Sequence, residues 1–322
     1  MEYVRLGSTE LVASVAGLGC GGSSRLGTVT GNSEEESINI VKRALDLGVN
    51  FFDTAKVYGT EDIVGQALRG EKRETIIIST KSLVRRGNRL FSGDELRSGL
   101  EASLSSLKMD YIDIFHLHAV LADDYSRVKQ ELVPVLLRAK EEGKIRHLGI
   151  TESPPNDSRH SLLEQMFEEE CPFEVIMLAF HLMHQNARLS VFPTTTRADI
   201  GTLIMFAVRS IFSDTSYLAS KLKELSENGS LPRIYNDIAK FREVLIEKGG
   251  AESIIDAAYR YARHEPGANV VLLGTGNPDH LETNIKSILS VPLKGSALKI
   301  LGRDFSHLEG VGLDLPIGYR GR

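Results

Sequence analysis

Short apolar runs alternate with stretches of helical period along most of the chain. Runs at residues 15–19, 49–53, 75–81, 112–118, 145–151, 173–178, 201–206 and 269–273 are apolar on both faces, which predicts strands of a buried parallel sheet. The segments between them carry helix signals. Ser33 reads as an N-cap with Glu36 completing a capping box, Ile38, Val41, Ala44 and Leu45 form a stripe, and Gly48 closes the helix. A second helix spans residues 61–69 with Ile63, Val64, Ala67 and Leu68 inward. Ser92 and Glu95 open a third, carrying Leu96, Leu100, Leu104 and Leu107. The same patterning predicts helices at 125–141, 157–169, 184–199 and 251–264, and a final one from Pro278 with Leu281, Ile285 and Ile288 inward. Residues 83–91 read as a basic loop, and 207–251 as an elaborated loop plus helix, broken at Gly229-Ser230-Leu231-Pro232.

Before the first core strand, residues 3–6 and 11–14 flank Gly7-Ser8-Thr9-Glu10 as a small hairpin, placed to plug the bottom of a barrel. Eight strands, each followed by a helix, predict an α/β fold: a (β/α)8 TIM barrel with a short N-terminal β-hairpin, forming one domain over 1–322. No GxGxxG follows the first strand, which argues against a doubly wound dinucleotide-binding sheet.

Composition narrows the class. Of the 322 residues, 42% are hydrophobic and 25% charged, as in a globular protein with ample core. A net charge of −5 excludes the basic footprint that nucleic-acid binding needs. No apolar run reaches the roughly 20 residues of a membrane span, and MEYVRLGSTE lacks a secretory apolar segment. With only Cys20 and Cys171, a disulfide framework is excluded and a reducing, cytoplasmic location is expected.

Four side chains at strand ends, or on the loops just beyond, carry the chemistry: Asp53, Tyr58, Lys81 and His118. In a barrel these C-terminal ends converge. A phenol, with a pKa of about 10, is a weak donor near neutrality, and an ammonium beside it favours the phenolate and eases proton transfer. Asp53 would anchor Lys81, and His118 would hydrogen-bond an incoming carbonyl oxygen. Such a set protonates a carbonyl as hydride arrives, and the hydride must come from a cofactor. Each residue alone is ordinary; the set is not.

The stretches ALDLGVNFFDTAKVYG, IIISTKS, SLSSLKMDYIDIFHLH, KEEGKIRHLGIT and LLGTGNPDHLETN, in this order, resemble the aldo-keto reductase family over most of residues 3–290. The resemblance implies an NAD(P)(H)-dependent oxidoreductase that interconverts an aldehyde or ketone, such as a sugar-like carbonyl, with its alcohol. It implies a catalytic tetrad of Asp53, Tyr58, Lys81 and His118, with Tyr58 as general acid, and a small-molecule carbonyl substrate. It also implies NADP(H) extended across the top of the barrel, touching Gly19, Cys20, Gly21 and Asp53. Thr151, Glu152 and Met177 stand at the family's nicotinamide-contact positions, where Ser-Asn and Gln are usual. Phe206 stands at that of the stacking aromatic. Ala207, Val208 and Arg209 correspond to the pyrophosphate loop, and Asn284 to the adenine contact. The loop Gly274-Thr275-Gly276-Asn277 is read as a phosphate site at a helix N-terminus. Gly274 and His280 replace the Lys and Arg that clamp a 2′-phosphate in many members, which opens the site to NAD(H).

Two other readings compete. One is a non-catalytic NADPH-binding regulatory barrel. The other is a metal-dependent barrel hydrolase using His116 and His118, which share a strand face, with His181 and His184 near another strand end. The second leaves Asp53, Tyr58 and Lys81 unexplained, so no metal ligand is assigned and His116 is read as a hydrogen-bonded core histidine. The basic run at Arg85, Arg86 and Arg89 admits an anionic substrate, or is a solvated loop.

Overall fold

The computed structural model describes residues 1–314. Among the described residues twelve strands form in chain order: β1 (Tyr3–Arg5), β2 (Val12–Ser14), β3 (Ala16–Gly19), β4 (Phe51–Asp53), β5 (Ile77–Leu83), β6 (Arg85–Arg86), β7 (Arg89–Leu90), β8 (Ile112–Val120), β9 (Ile145–Glu152), β10 (Val175–Ala179), β11 (Gly201–Met205) and β12 (Val270–Leu273). The eight longer-range partners β3, β4, β5, β8, β9, β10, β11 and β12 close into a parallel barrel in that order. The expected (β/α)8 architecture is therefore the observed one.

Two apolar clusters divide the core. Phe51, Ile77, Ile114, Val175, Leu203 and Val270 fill the barrel interior, and Leu6, Leu11 and Ala13 of the β1–β2 hairpin join them from below. Gly7 turns there at φ +56°, where a Cβ would lie 2.2 Å from the Gly201 nitrogen, so the hairpin seats against the strand ends. The larger cluster lies between strands and helices.

Helices flank the strands as α1 (Glu34–Asp46), α2 (Glu61–Ala67), α3 (Gly93–Leu107), α4 (Tyr125–Glu131), α5 (Val133–Glu141), α6 (Ser161–Phe167), α7 (Ala187–Ser190), α8 (Phe192–Ala198), α9 (Ser210–Ser213), α10 (Thr215–Glu227), α11 (Ile238–Arg242), α12 (Ile254–Arg263), α13 (Pro278–Leu289) and α14 (Gly295–Phe305). Both capping boxes, Ser33 with Glu36 and Ser92 with Glu95, form as expected. On α1 the buried stripe is rotated toward Ile40, Val41 and Ala44, leaving Ile38 and Leu45 half-buried.

Departures from the predicted elements have local causes. The expected helix over 125–141 is two, because Pro134 has no N–H to continue the ladder; Pro193 divides the segment at 184–199 in the same way. The expected helix from 157 starts at Ser161, where Asp157 accepts the N–H groups of Ser161 and Leu162, each at 2.9 Å. The basic loop contains the β6–β7 hairpin, turning through Gly87 at φ +58°, with Arg85 paired to Asp124 and Arg89 to Glu95. Residues 207–251 are mostly helical. Tyr235 and Phe241 of this segment pack on Phe305, and the Tyr235 hydroxyl donates to Asp304 at 2.7 Å. That anchors α14, a helix beyond the one expected to be last. Among the described residues no helix is long and apolar enough to cross a membrane.

Candidate active site

Strand register brings the expected catalytic residues together. Pairing of β4 with β5 sets Asp53 beside Ser79, and pairing of β5 with β8 sets Lys81 beside His116. Side chains two apart on a strand share a face, so Ser79 and Lys81 point together into the barrel. Lys81 Nζ donates to Asp53 Oδ2 at 2.6 Å and to the Thr54 carbonyl at 2.7 Å, while Ser79 Oγ donates to Asp53 Oδ1 at 2.7 Å. The two charged side chains are 0% and 5% exposed. Burial opposes the Lys81 charge, but Asp53 and then Tyr58 outweigh it and hold the ammonium above its ordinary value. Burial likewise pushes the Asp53 carboxyl up, against the Lys81 charge and the hydrogen bonds of Lys81 and Ser79. The lysine thus keeps the proton.

Tyr58 ends a single 3-10 turn, Lys56–Tyr58, closed by Gly59 at φ +70°. The loop is tied on both sides. Thr54 bonds Thr60 at 2.9 Å, Thr60 donates to the Cys20 carbonyl at 3.0 Å, and Thr80 donates to the buried Glu61 at 2.6 Å. These contacts place the Tyr58 hydroxyl 3.5 Å from His118 Nε2, and the Lys81 ammonium 5.1 Å from the phenol ring centre. The ring lies on Gly21, where a Cβ would stand 2.4 Å from Tyr58 Cε2. His118 is aimed by a bulge after Leu117: Ala119 takes φ +54°, and its N–H donates to Thr151 Oγ1 at 2.8 Å. Burial, with Lys81 adding to it, pushes the His118 imidazole down to about 3. It is therefore neutral near pH 7, fit to donate a hydrogen bond rather than a proton.

One open cleft of about 620 Å³ runs from Asp53 and Tyr58 past Met177, Met205 and Leu272 to His280, Asn284 and Lys286. The family-derived contacts fall unevenly on it. Gly19, Gly21, Met177, Phe206, Val208, Arg209, Gly274, Thr275, His280 and Asn284 line it. Phe206 does so from φ +67°, a left-handed conformation rarely tolerated by a bulky residue, and its ring carries the Arg209 guanidinium 4.0 Å from the ring centre. Arg209 also bonds the Asp314 carbonyl.

Other expected contacts point elsewhere. Cys20 is fully buried in the outer core, its thiol pushed far up by burial, and it does not line the cleft. Ala207 is buried too. Glu152, expected at the nicotinamide, instead accepts from His160 at 2.7 Å and from the Ala179 N–H at 2.8 Å. Gly276 faces Gly27, where a Cβ would meet the Gly27 Cα at 2.3 Å, so the missing side chain of this glycine serves loop packing.

The helix N-terminus read as a phosphate site is already capped. Asn277 Oδ1 accepts the N–H groups of Asp279 and His280, at 2.8 and 3.1 Å, and Pro278 has none to offer. Further features stand beside the expected residues. Ser79 was accessible from its spacing to Lys81, but the Thr54 carbonyl and the exposed Glu252–Lys286 pair at 2.8 Å depend on tertiary placement. His116 and His118 turn to different partners, Ser79 and Tyr58. Among the described residues no group of three or more His, Cys, Asp or Glu is arranged to hold a metal.

Residues 18–301 match the model of the aldo/keto reductase family. The chain is 26% identical over 314 residues to the uncharacterized oxidoreductase YqkF of Bacillus subtilis, covering 94% of this chain and 95% of that protein. It is 28% identical over 305 residues to the aldo-keto reductase YhdN of the same organism (88% and 87% covered). It is 35% identical to L-galactose dehydrogenase of Arabidopsis thaliana over 160 residues, about half of each chain (48% and 49%). In fold it is similar to the holo form of an aldo-keto reductase from Bacillus halodurans, with a TM-score of 0.71, 20% identity, and 98% of this chain and 100% of the other covered.

Proposed function

Because the chain belongs to the aldo/keto reductase family, we propose that it interconverts an aldehyde or ketone with its alcohol at Tyr58, using a nicotinamide dinucleotide. The observation that carries this reading is the dry Asp53–Lys81 pair beside the Tyr58 ring, with His118 Nε2 3.5 Å from the phenol oxygen. The cleft suits an extended dinucleotide: it is continuous from the tetrad to Asn284 and offers the Phe206 ring near the reactive end. Such a cofactor supplies hydride to the carbonyl carbon. His118, neutral, donates a hydrogen bond to the carbonyl oxygen. The Lys81 ammonium favours the phenolate and so eases transfer of the Tyr58 proton to that oxygen. Asp53 keeps Lys81 charged and in place. In the alcohol-oxidising direction the same groups run in reverse, with the phenolate taking the proton.

The far end of the cleft fits a dinucleotide without a built 2′-phosphate clamp. The cation positions hold Gly274 and His280, Asn277 occupies its own helix N-terminus, and Lys286 is paired with Glu252. We therefore propose that NADH and NADPH bind with affinities within about tenfold of each other, about 1.4 kcal/mol. Separate titrations with each, followed by dinucleotide fluorescence, measure this.

The decisive experiment is oxidation of NADH or NADPH with a panel of aldehydes and ketones. Turnover should fall by about a hundredfold or more in Tyr58→Phe. An undiminished rate there removes the assigned mechanism. The displacement of Glu152 from the cleft favours a second reading, a barrel that binds dinucleotide in a regulatory role. Tight binding with no turnover across the panel would select it.

A further inference from the structure

Behind the tetrad lies a polar path that the reaction as described does not use. His116 is completely buried in the barrel, and its Nε2 lies 3.1 Å from Ser79 Oγ. Ser79 has one proton, and the shorter contact, 2.7 Å to Asp53 Oδ1, takes it. The Ser79 oxygen can then only accept, so His116 carries its proton on Nε2 and donates. Burial, followed by the Lys81 charge, keeps this imidazole well below its ordinary value, hence neutral. Space is reserved for the ring: a Cβ on Gly149 would come within 2.2 Å of His116 Nδ1.

The path bears on which form the Asp53–Lys81 pair takes. In a pair this dry, desolvation raises the cost of the ionised form against the neutral one, carboxylic acid beside free amine. Every donor on the carboxylate tips the balance toward the ions, and a donor that is itself hydrogen-bonded tips it further. The titratable groups around Asp53 are Lys81 on β5, Cys20 after β3, Tyr58 on its turn, and His116 and His118 on β8. Of these only Lys81 brings a positive charge.

We propose that Ser79 and His116 are positioning residues that hold the Asp53–Lys81 pair in its ionised form and thereby keep the Tyr58 phenol acidic. This rests on the reading of Tyr58 as proton donor. Without the relay, the proton of Lys81 shifts toward Asp53, the ammonium beside the phenol weakens, and Tyr58 holds its proton to higher pH.

The test is an NMR titration of the ligand-free protein with carbon-labelled tyrosine, the Tyr58 signal being identified by its loss in Tyr58→Phe. In Ser79→Ala and in His116→Leu the Tyr58 midpoint should rise by about one pH unit. The double variant should move no further than Ser79→Ala alone, because His116 acts through Ser79. His116→Gln should restore the midpoint, since its amide can donate to Ser79. Carbonyl reduction near pH 7 should fall on the order of tenfold in the two single variants and recover in His116→Gln. A Tyr58 midpoint unmoved in both single variants, or His116→Gln behaving as His116→Leu, overturns the proposal. A shifted midpoint in a protein whose Tyr58→Phe variant still reduces carbonyls would uphold the relay and remove the reading of Tyr58 as donor.

Discussion

The two ends of the cleft differ in what surrounds their charges. At the reactive end Lys81 and Asp53 are sealed from water, and each is held by further hydrogen bonds, to the Thr54 carbonyl and from Ser79. At the far end Lys286 and Glu252 form a pair that is 65% and 71% exposed, and the nearby helix amides bond Asn277. The first arrangement is fixed by strand register and stands ready before any ligand arrives. The second belongs to surface side chains whose partners water can replace. On the proposed function, chemistry is assigned to the end where the fold leaves no freedom, and dinucleotide choice to the end where it leaves much.

The largest effect should follow from breaking the sealed end. Lys81→Met leaves the Asp53 carboxyl buried without its ion partner, which should cost about 3–5 kcal/mol in denaturant unfolding as well as the reaction. A variant of unchanged stability would mean that the pair is not dry. A subtler break is Gly21→Ala, whose methyl displaces the Tyr58 ring without touching a charge. Carbonyl reduction should fall about a hundredfold from this misplacement alone, while the melting temperature changes little. Retained activity would show that the ring has room to move.

Acid should test the buried histidines as well. Burial is the first cause that pushes His118 and His181 down to about 3 and His184 to about 2, against an unfolded value near 6.5. Between those limits the unfolded chain binds protons that the folded one refuses. Stability from these groups is therefore present above about pH 6.5 and lost as pH falls, by up to about 1.4 kcal/mol per pH unit for each histidine. Unfolding free energies measured from pH 7 to 5 should show the slope, and His184→Leu should reduce it by one proton's worth. An identical slope would place His184 in contact with water. The smallest effect belongs to the open end. Glu252→Gln frees Lys286 and should tighten NADPH relative to NADH by about threefold at low ionic strength, with the gain fading at high salt. A change that ignores salt would mean that Lys286 does not face the phosphate.

The chain's periodicity alone carried the architecture. Eight doubly apolar strands alternating with capped helices have few other ways to bury their faces, and the barrel follows. Asp53, Tyr58, Lys81 and His118 could be placed together in advance because strand ends in such a barrel meet at one face. The departures from the predicted elements share a different cause. Pro134 and Pro193 split helices whose periodicity runs unbroken across them, and the anchor for α14, Tyr235 and Phe241 on Phe305, joins segments far apart in sequence.

Site contacts away from strand ends were harder still. Glu152 and Cys20 occupy the expected places in order along the chain, yet the direction of each side chain was decided by a partner, His160 for one and the outer core for the other. Asn277 caps the helix N-terminus whose free amides were expected to hold an anion. Ser79 and His116 became a path to Asp53 only once register laid β4, β5 and β8 side by side. Period and spacing along one strand are local properties, and the sequence by itself determined what depends on them. Which proton sits on which atom depends on three neighbouring strands and the absence of water, and only the tertiary structure supplies those.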